Sequence, residues 1–189
     1  FGFKSTGIVR GEEVQNDLLM FCALFGMELI FVKRDRYRDK WGLFQHYFGS
    51  NAHAFFIDEG GASMEAITGC AELMDELDRS YDHIFCACGT GTTIAGIIKG
   101  VEKYALRSNI HALPVFLDGR FMRDEILKYF DHVPSFEMHT DYHFGGYAKT
   151  KPELIDFIQS FTAETGILID PVYTGKLFYA IHDLIQQGY

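Results

Sequence analysis

Four cysteines, four prolines and one tryptophan are all that a chain of 189 residues contains of these types. So few cysteines exclude a disulfide-built scaffold, and so few prolines exclude a proline-rich linker. Basic residues are short as well: 17 Lys+Arg face 26 Asp+Glu, a formal net charge of −9. A nucleic-acid binder concentrates Lys and Arg on one surface. The densest run here, Lys33-Arg34-Asp35-Arg36, is broken by an acid and reads as a solvated loop or helix end. No apolar run reaches the ~18 residues that cross a bilayer. The expected partners therefore include neither nucleic acid nor membrane. No signal-peptide pattern opens the chain, and the expected compartment is the cytoplasm. The first residue is Phe1, in the middle of what reads as a structural element. That start leads us to expect a fragment of a longer protein.

What is present is an ordinary globular balance, 48% hydrophobic and 23% charged. The length suits one domain or two small lobes and can bury about 70% of the unfolded surface. Cys22 and Cys70 fall on apolar helical faces, and Cys86 and Cys88 in an apolar run, so all four read as buried reduced thiols. The spacing Cys86-x-Cys88 is not that of a zinc site. His139 and His143 stand four apart, but Gly145-Gly146 follow and no His-Glu-x-x-His motif is completed. No metal is expected. Trp41 among Tyr37, Phe44, Tyr47 and Phe48 reads as aromatic packing, with a subunit contact as the alternative.

Strand and helix patterns alternate. Strands are expected at 5–10, 29–32, 54–57, 83–88, 110–117 and 167–169. A helix carrying Val14, Leu18, Phe21, Cys22 and Phe25 in one stripe lies between the first two. Further helices are expected over 34–48, from Ser63 with Met64, Ile67, Cys70, Ala71, Met74 and Leu77 buried, and after residue 93 with Ile94, Ile97, Ile98 and Val101. Helices over 120–130, 153–165 and 174–187 complete the pattern. This order predicts an α/β fold with a mostly parallel sheet between helical layers. Ligands in such sheets sit at the carboxyl ends of strands, which selects the loops 59–63, 88–93 and 170–176.

The loop Cys88-Gly89-Thr90-Gly91-Thr92-Thr93-Ile94-Ala95-Gly96 links an apolar strand to a helix. Glycines expose backbone N–H groups, the helix N-terminus adds positive potential and threonines add hydroxyls, together a phosphate cradle. A dinucleotide fingerprint starting at Gly89 needs glycine where Ile94 stands. A Walker A loop starting at Gly91 needs lysine where Ile97 stands. A single terminal phosphate fits better; a plain turn is the alternative. In Asp170-Pro171-Val172-Tyr173-Thr174-Gly175-Lys176, Pro171 stiffens the exit from a strand and presents Tyr173 at the ligand edge. The alternative is a capped helix, with Thr174 as cap and Tyr173 in the core.

These two strings resemble the 1-aminocyclopropane-1-carboxylate deaminase/D-cysteine desulfhydrase family of pyridoxal-phosphate enzymes. Glu59-Gly60-Gly61-Ala62-Ser63, Ile8-Val9-Arg10-Gly11-Glu12 and Tyr142-His143-Phe144-Gly145-Gly146-Tyr147 extend the resemblance along the chain. It implies a tryptophan synthase β-like fold (fold type II), three αβα layers in two lobes. Residues 1–56 would be part of the small lobe and 57–189 the larger, cofactor-binding lobe. Pyridoxal 5'-phosphate is the implied cofactor, a small amino acid the substrate and a homodimer the assembly. The resemblance places Gly89, Thr90, Gly91, Thr92 and Thr93 on the cofactor phosphate. It sets Tyr173 against the pyridine ring, Thr174 opposite the pyridine nitrogen and Tyr147 beside the substrate, so Tyr173 and Tyr147 are the candidate catalytic residues. It also implies that the Schiff-base lysine lies upstream of Phe1, so that the chain as given is inactive, with Lys176 a poor substitute. A threonine opposite the nitrogen favours elimination of thiolate from D-cysteine; ring-opening deamination is the second expectation. A non-catalytic phosphate-group binding module, and a nucleotide-dependent oxidoreductase disfavoured by Ile94, are the readings from other classes.

Overall fold

Two parallel sheets set the framework of the computed structural model, which describes residues 2–77 and 80–189. Phe1, which opens the expected fragment, lies outside the described residues. The chain divides into two units, Phe1–Phe56 and Ile57–Tyr189. In the first, β1 (Thr6–Arg10) pairs with β2 (Glu28–Val32), Thr6 opposite Glu28 and Arg10 opposite Val32. Between them runs α1 (Asp17–Leu24), where the Asn16 side chain accepts the Leu19 N–H at 2.9 Å.

The expected stripe on α1 does not form. Val14 precedes the helix, no residue of α1 is buried, and Leu18 and Phe25 are 72% and 84% exposed. After Asp17 the helix is apolar all round, so no single face is singled out for burial; Cys22 is only half-buried. The helix expected from residue 34 starts later, as α2 (Lys40–Phe48), after a single 3-10 turn at Arg36–Arg38. Asp39 stops it from starting sooner by accepting the Gly42 N–H at 2.9 Å as an N-cap. Trp41 packs on Phe44 and Phe56, with ring centroids 5.2 and 5.8 Å away. Residues 54–57 are not a strand: among the described residues no neighbouring strand pairs with them. Apolar β-branched and aromatic content alone does not make a strand without a ladder partner.

In the second unit β3 (His83–Cys88), β4 (Asn109–Pro114) and β5 (Glu137–Met138) form a parallel sheet with β4 in the middle. The helices are α3 (Met64–Glu72), α4 (Thr92–Lys103), α5 (Phe121–Leu127), α6 (Pro152–Thr165) and α7 (Thr174–Gln186). Ser63 caps α3 through its hydroxyl, which accepts the Ala66 N–H at 3.1 Å. The core gathers Ile94, Ile97, Ile98 and Val101 of α4 with Ile67, Met74, Cys86, Cys88, Ile110, Met122 and Ile126. Each large side chain so buried contributes roughly 1.5–3 kcal/mol. The helix pair α3 and α4 closes on two glycines. A Cβ at Gly100 would lie 2.5 Å from Met74 Cγ and 2.6 Å from the Ala71 carbonyl, and one at Gly96 would collide with Cys70.

Four expectations in this unit need correction. Cys70 is half-buried and Met64 is 49% exposed, because α3 turns only one side toward α4. The helix expected to reach residue 130 ends at Leu127. The strand expected to reach 117 ends at Pro114. Residues 167–169 have no strand partner among the described residues; Leu168 is 87% exposed and only Ile169 is buried. The strand β5 was not expected, since two residues carry no periodicity. No helix among the described residues is long and apolar enough to cross a membrane.

Candidate active site at the strand ends

The loop after β3 rises from a buried strand end. Gly91 takes a left-handed conformation, φ 82°, and is the N-cap position of α4. That backbone suits glycine, and space forbids anything larger: a Cβ would lie 3.1 Å from Met122 Sδ and 3.2 Å from Ile126 Cγ1. No side chain caps α4, so its first-turn amides keep their donors for a ligand. The Thr90 and Thr92 hydroxyls stand 3.0 Å apart. Thr92 is buried, while Thr90 and Thr93 are exposed. All five residues expected on the phosphate are thus in one turn.

Two other segments meet this loop. At Gly60, φ 71°, a Cβ would lie 2.5 Å from Thr90 Cγ2, so the turn Glu59–Gly61 rests directly on the loop. At Gly89 a Cβ would lie 3.1 Å from the Tyr173 hydroxyl oxygen and 3.3 Å from its ring. Tyr173 therefore lies across the start of the 89–93 loop. Its ring meets Tyr147 edge-on at 6.1 Å, and Tyr147 in turn stacks on Phe116 at 5.7 Å. Burial, and then the hydrogen bond and charge of Tyr147, push the Tyr173 phenol up to about 12. It stays a neutral donor at any physiological pH.

The alternative of a helix capped by Thr174 is replaced by a different cap. Asp170 accepts the N–H groups of Val172 and Tyr173 on Oδ1, both at 2.8 Å, and that of Thr174 on Oδ2 at 2.9 Å. The Thr174 hydroxyl donates to Oδ2 at 2.5 Å and accepts the Asp170 N–H at 2.8 Å. Burial pushes the Asp170 carboxyl up, but these bonds from Thr174, Tyr173 and Val172 outweigh it and bring it down to about 2. Tyr173 is half-buried, not a core residue.

Lys176 is fully buried on α7, and its Nζ donates to the carbonyls of His143 and Gly146, each at 2.8 Å. Burial lowers its pKa, against the raising effect of Asp170. Tyr142 adds a bond to Asp183 at 2.7 Å. Together these hold the 142–147 loop to α7 and so place Tyr147. His143 is used inside the same loop, where its Nδ1 accepts the Gly145 N–H at 2.9 Å. Sequence reasoning missed the roles of Asp170, Lys176 and Phe116. An Asp before Pro with a Thr four residues on is a readable turn signal; the lysine tether carries none. Among the described residues, a cleft of about 560 Å³ is lined by Lys99, Glu102 and Lys103 near the far end of α4, remote from these loops. A smaller one, about 380 Å³, opens between Leu117, Arg120, Thr140 and His143, next to the Tyr147 loop.

The family described as pyridoxal-phosphate dependent enzyme matches residues 1–189. A Pyrococcus abyssi protein provisionally named 1-aminocyclopropane-1-carboxylate deaminase is 26% identical over 99% of this chain. An Arabidopsis thaliana protein, named a bifunctional mitochondrial D-cysteine desulfhydrase/1-aminocyclopropane-1-carboxylate deaminase, is 30% identical over 67% of it. The chain spans 63% of the first relative's length and 35% of the second's. A crystal structure of an ACC deaminase homologue superposes with a TM-score of 0.78 at 23% identity, covering 99% of this chain and 62% of that one. The expected fold type is therefore present, and the resemblance read from the Gly/Thr loop and the Asp-Pro-Val-Tyr-Thr-Gly-Lys string holds. The chain belongs to the pyridoxal-phosphate dependent enzyme family.

Proposed function

We propose that this chain carries most of the cofactor site of a lyase that eliminates sulfide from D-cysteine, giving pyruvate, sulfide and ammonia. When bound, pyridoxal phosphate supplies the electron sink for the pair left by the departing α-proton. The residues present fit that group. Open amides of the 89–93 loop and the Thr90 and Thr92 hydroxyls would hold the phosphate. Tyr173, lying across Gly89, offers a flat face for a flat ring. Thr174 would meet the ring nitrogen, and Tyr147 would line the substrate side together with the neutral phenol of Tyr173.

One observation carries the choice of reaction: the residue proposed to face the ring nitrogen is uncharged. The nearby carboxylate, Asp170, is spent on three backbone N–H groups and the Thr174 hydroxyl. A free carboxylate there would hold the nitrogen protonated and deepen the sink, as loss of a carbon leaving group requires. A thiolate leaves without that help. The second reading is opening of 1-aminocyclopropane-1-carboxylate to 2-oxobutanoate and ammonia, favoured by the names of the relatives.

Residues 57–189 are proposed as the cofactor lobe, residues 1–56 as part of the small lobe, and a homodimer as the assembly. Assay of the holoenzyme on both substrates tests the reaction. Sulfide and pyruvate from D-cysteine are expected. 2-Oxobutanoate from the cyclopropane amino acid, without sulfide from D-cysteine, would reverse the assignment.

A further inference from the structure

Away from the phosphate loop, three histidines stand in a row across the sheet. His83 opens β3, His111 lies in β4 and His139 follows β5. His83 Nδ1 is 2.9 Å from His111 Nε2, and His111 Nδ1 is 3.0 Å from His139 Nε2. His111 is wholly buried, with the Phe85 ring stacked on it at 4.2 Å. A hydrogen-bonded row of imidazoles accounts for these two distances. Glu137 stands beside the same pair, its Oε2 3.8 Å from His111 Nδ1 and 4.0 Å from His139 Nε2. The carboxylate oxygen is nearly equidistant from the same two nitrogens.

The three atoms form a triangle whose centre is about 2.1 Å from each of them, and a tetrahedral ion raised ~0.7 Å from that plane lies about 2.2 Å from each, within ~0.2 Å of the bonds of Zn²⁺ to imidazole nitrogen and carboxylate oxygen. We propose that His111, Glu137 and His139 form a zinc site that pins β5 to β4. The separations of 3.0, 3.8 and 4.0 Å centre nearer the ~3.4 Å between ligands of a tetrahedral ion with such bonds than the ~3.0 Å of an octahedral one, which favours zinc over manganese. The outer partners also suit an ion. With Nδ1 of His111 on the metal, its Nε2 carries the proton and donates to His83 Nδ1, fixing the tautomer. The Tyr189 hydroxyl donates to Glu137 Oε2 and orients the carboxylate. Water takes the fourth position.

The site has a structural purpose. Among the described residues two pairs, His111 with Glu137 and Ala112 with Met138, join β5 to β4, with the His139 N–H donating to the Ala112 carbonyl at 2.9 Å, and so short a strand is weakly held by its ladder alone. His111 lies level with Phe85, three residues before the end of β3 at Cys88, or about 10 Å from the phosphate loop along the strand. The ion would not touch the reaction.

Zinc chloride titrated into the metal-stripped holoenzyme tests this. One equivalent is expected to bind and to slow hydrogen exchange at residues 137–139. Affinity is expected to fall by about a hundredfold in His139→Gln and at least tenfold in Glu137→Gln. Glu137 is 55% exposed, so the second variant folds even where a change in the buried row does not. Cobalt substitution separates this set from the thiols of Cys86 and Cys88: a nitrogen/oxygen d–d spectrum without a sulfur charge-transfer band is expected. Absence of stoichiometric binding, binding unchanged in Glu137→Gln, unchanged exchange at 137–139, or a sulfur band would each overturn the proposal. The histidines would then be a hydrogen-bonded row only.

Discussion

Two of the loops that lead into helices in this protein treat the helix N-terminus in opposite ways. Before α4 the chain turns through left-handed Gly91, and no side chain caps the first turn. Before α7 the carboxylate of Asp170 takes three backbone N–H groups and the Thr174 hydroxyl. An N-terminus carries roughly half a positive charge and orphan donors. Left open, it is an anion site; filled by its own carboxylate, it is closed to anions and rigid. The first arrangement suits a phosphate. The second suits a platform that must hold Tyr173 and Thr174 still. A helix start is therefore not a binding site by itself: what matters is whether the chain has already satisfied it.

The strongest way to break this comparison is at the open end. Gly91→Val forces a β-branched residue into φ 82° and against Met122 and Ile126. Strain of about 1–3 kcal/mol plus overpacking is expected to distort the turn and weaken pyridoxal phosphate binding by more than about a hundredfold. An absorbance titration with the cofactor measures this; an unchanged dissociation constant would mean that the turn does not hold the phosphate.

At the closed end the effect is on stability. Asp170→Ala removes the acceptor for all three N–H groups and is expected to cost about 1–2 kcal/mol, read as a lower urea midpoint. Asp170→Asn keeps one acceptor oxygen and is expected to lose less. The pH dependence has a definite sign. The folded carboxyl titrates at about 2, below its unfolded value near 3.9. Its contribution is thus complete above pH ~4 and fades as pH falls through about 2. The gap between wild type and Asp170→Asn is expected to close over that window; a gap independent of pH would show that the charge is not what caps α7.

The mildest change imitates one end at the other. Thr93 is exposed in the first turn of α4, so Thr93→Asp brings a carboxylate to the open N-terminus, as Asp170 brings one to that of α7. Thermal unfolding without cofactor is expected to show a gain of about 0.3–1 kcal/mol, while cofactor affinity falls at least tenfold. Two effects of the same sign would contradict the idea that cap and phosphate compete.

Much of this was legible because the signals were local and strong. The Ile94, Ile97, Ile98 and Val101 spacing gives α4 a buried side, and α4 is buried there. The run 83–88 is a strand with the expected bounds. Gly89 to Thr93, Tyr173 and Tyr147 were grouped as a candidate site by the family resemblance, and the structure brings Tyr173 against Gly89 and Tyr147 against Tyr173. What failed depended on neighbours. Residues 54–57 and 167–169 have strand composition but no ladder partner among the described residues. The stripe on α1 failed because nearly every residue of that helix is apolar, so pattern could not choose a buried side.

The absences noted at the outset rest on two kinds of inference. Few basic residues and no long apolar run are properties of composition. A lack of metal motif was a different kind of inference, because ligand spacing along the chain reports only sites made within one segment. His139 reads as a loop residue beside His143, yet its nearest imidazole is that of His111, 28 residues away. The sequence by itself determined the alternation of elements and the two motif loops, because hydrophobic period and glycine placement act over a few residues. Only the tertiary structure decided that Asp170 closes α7, that Lys176 holds the Tyr147 loop and that three strands line up their histidines. Each of these depends on which backbone passes beside which, and that is set by packing over the whole unit.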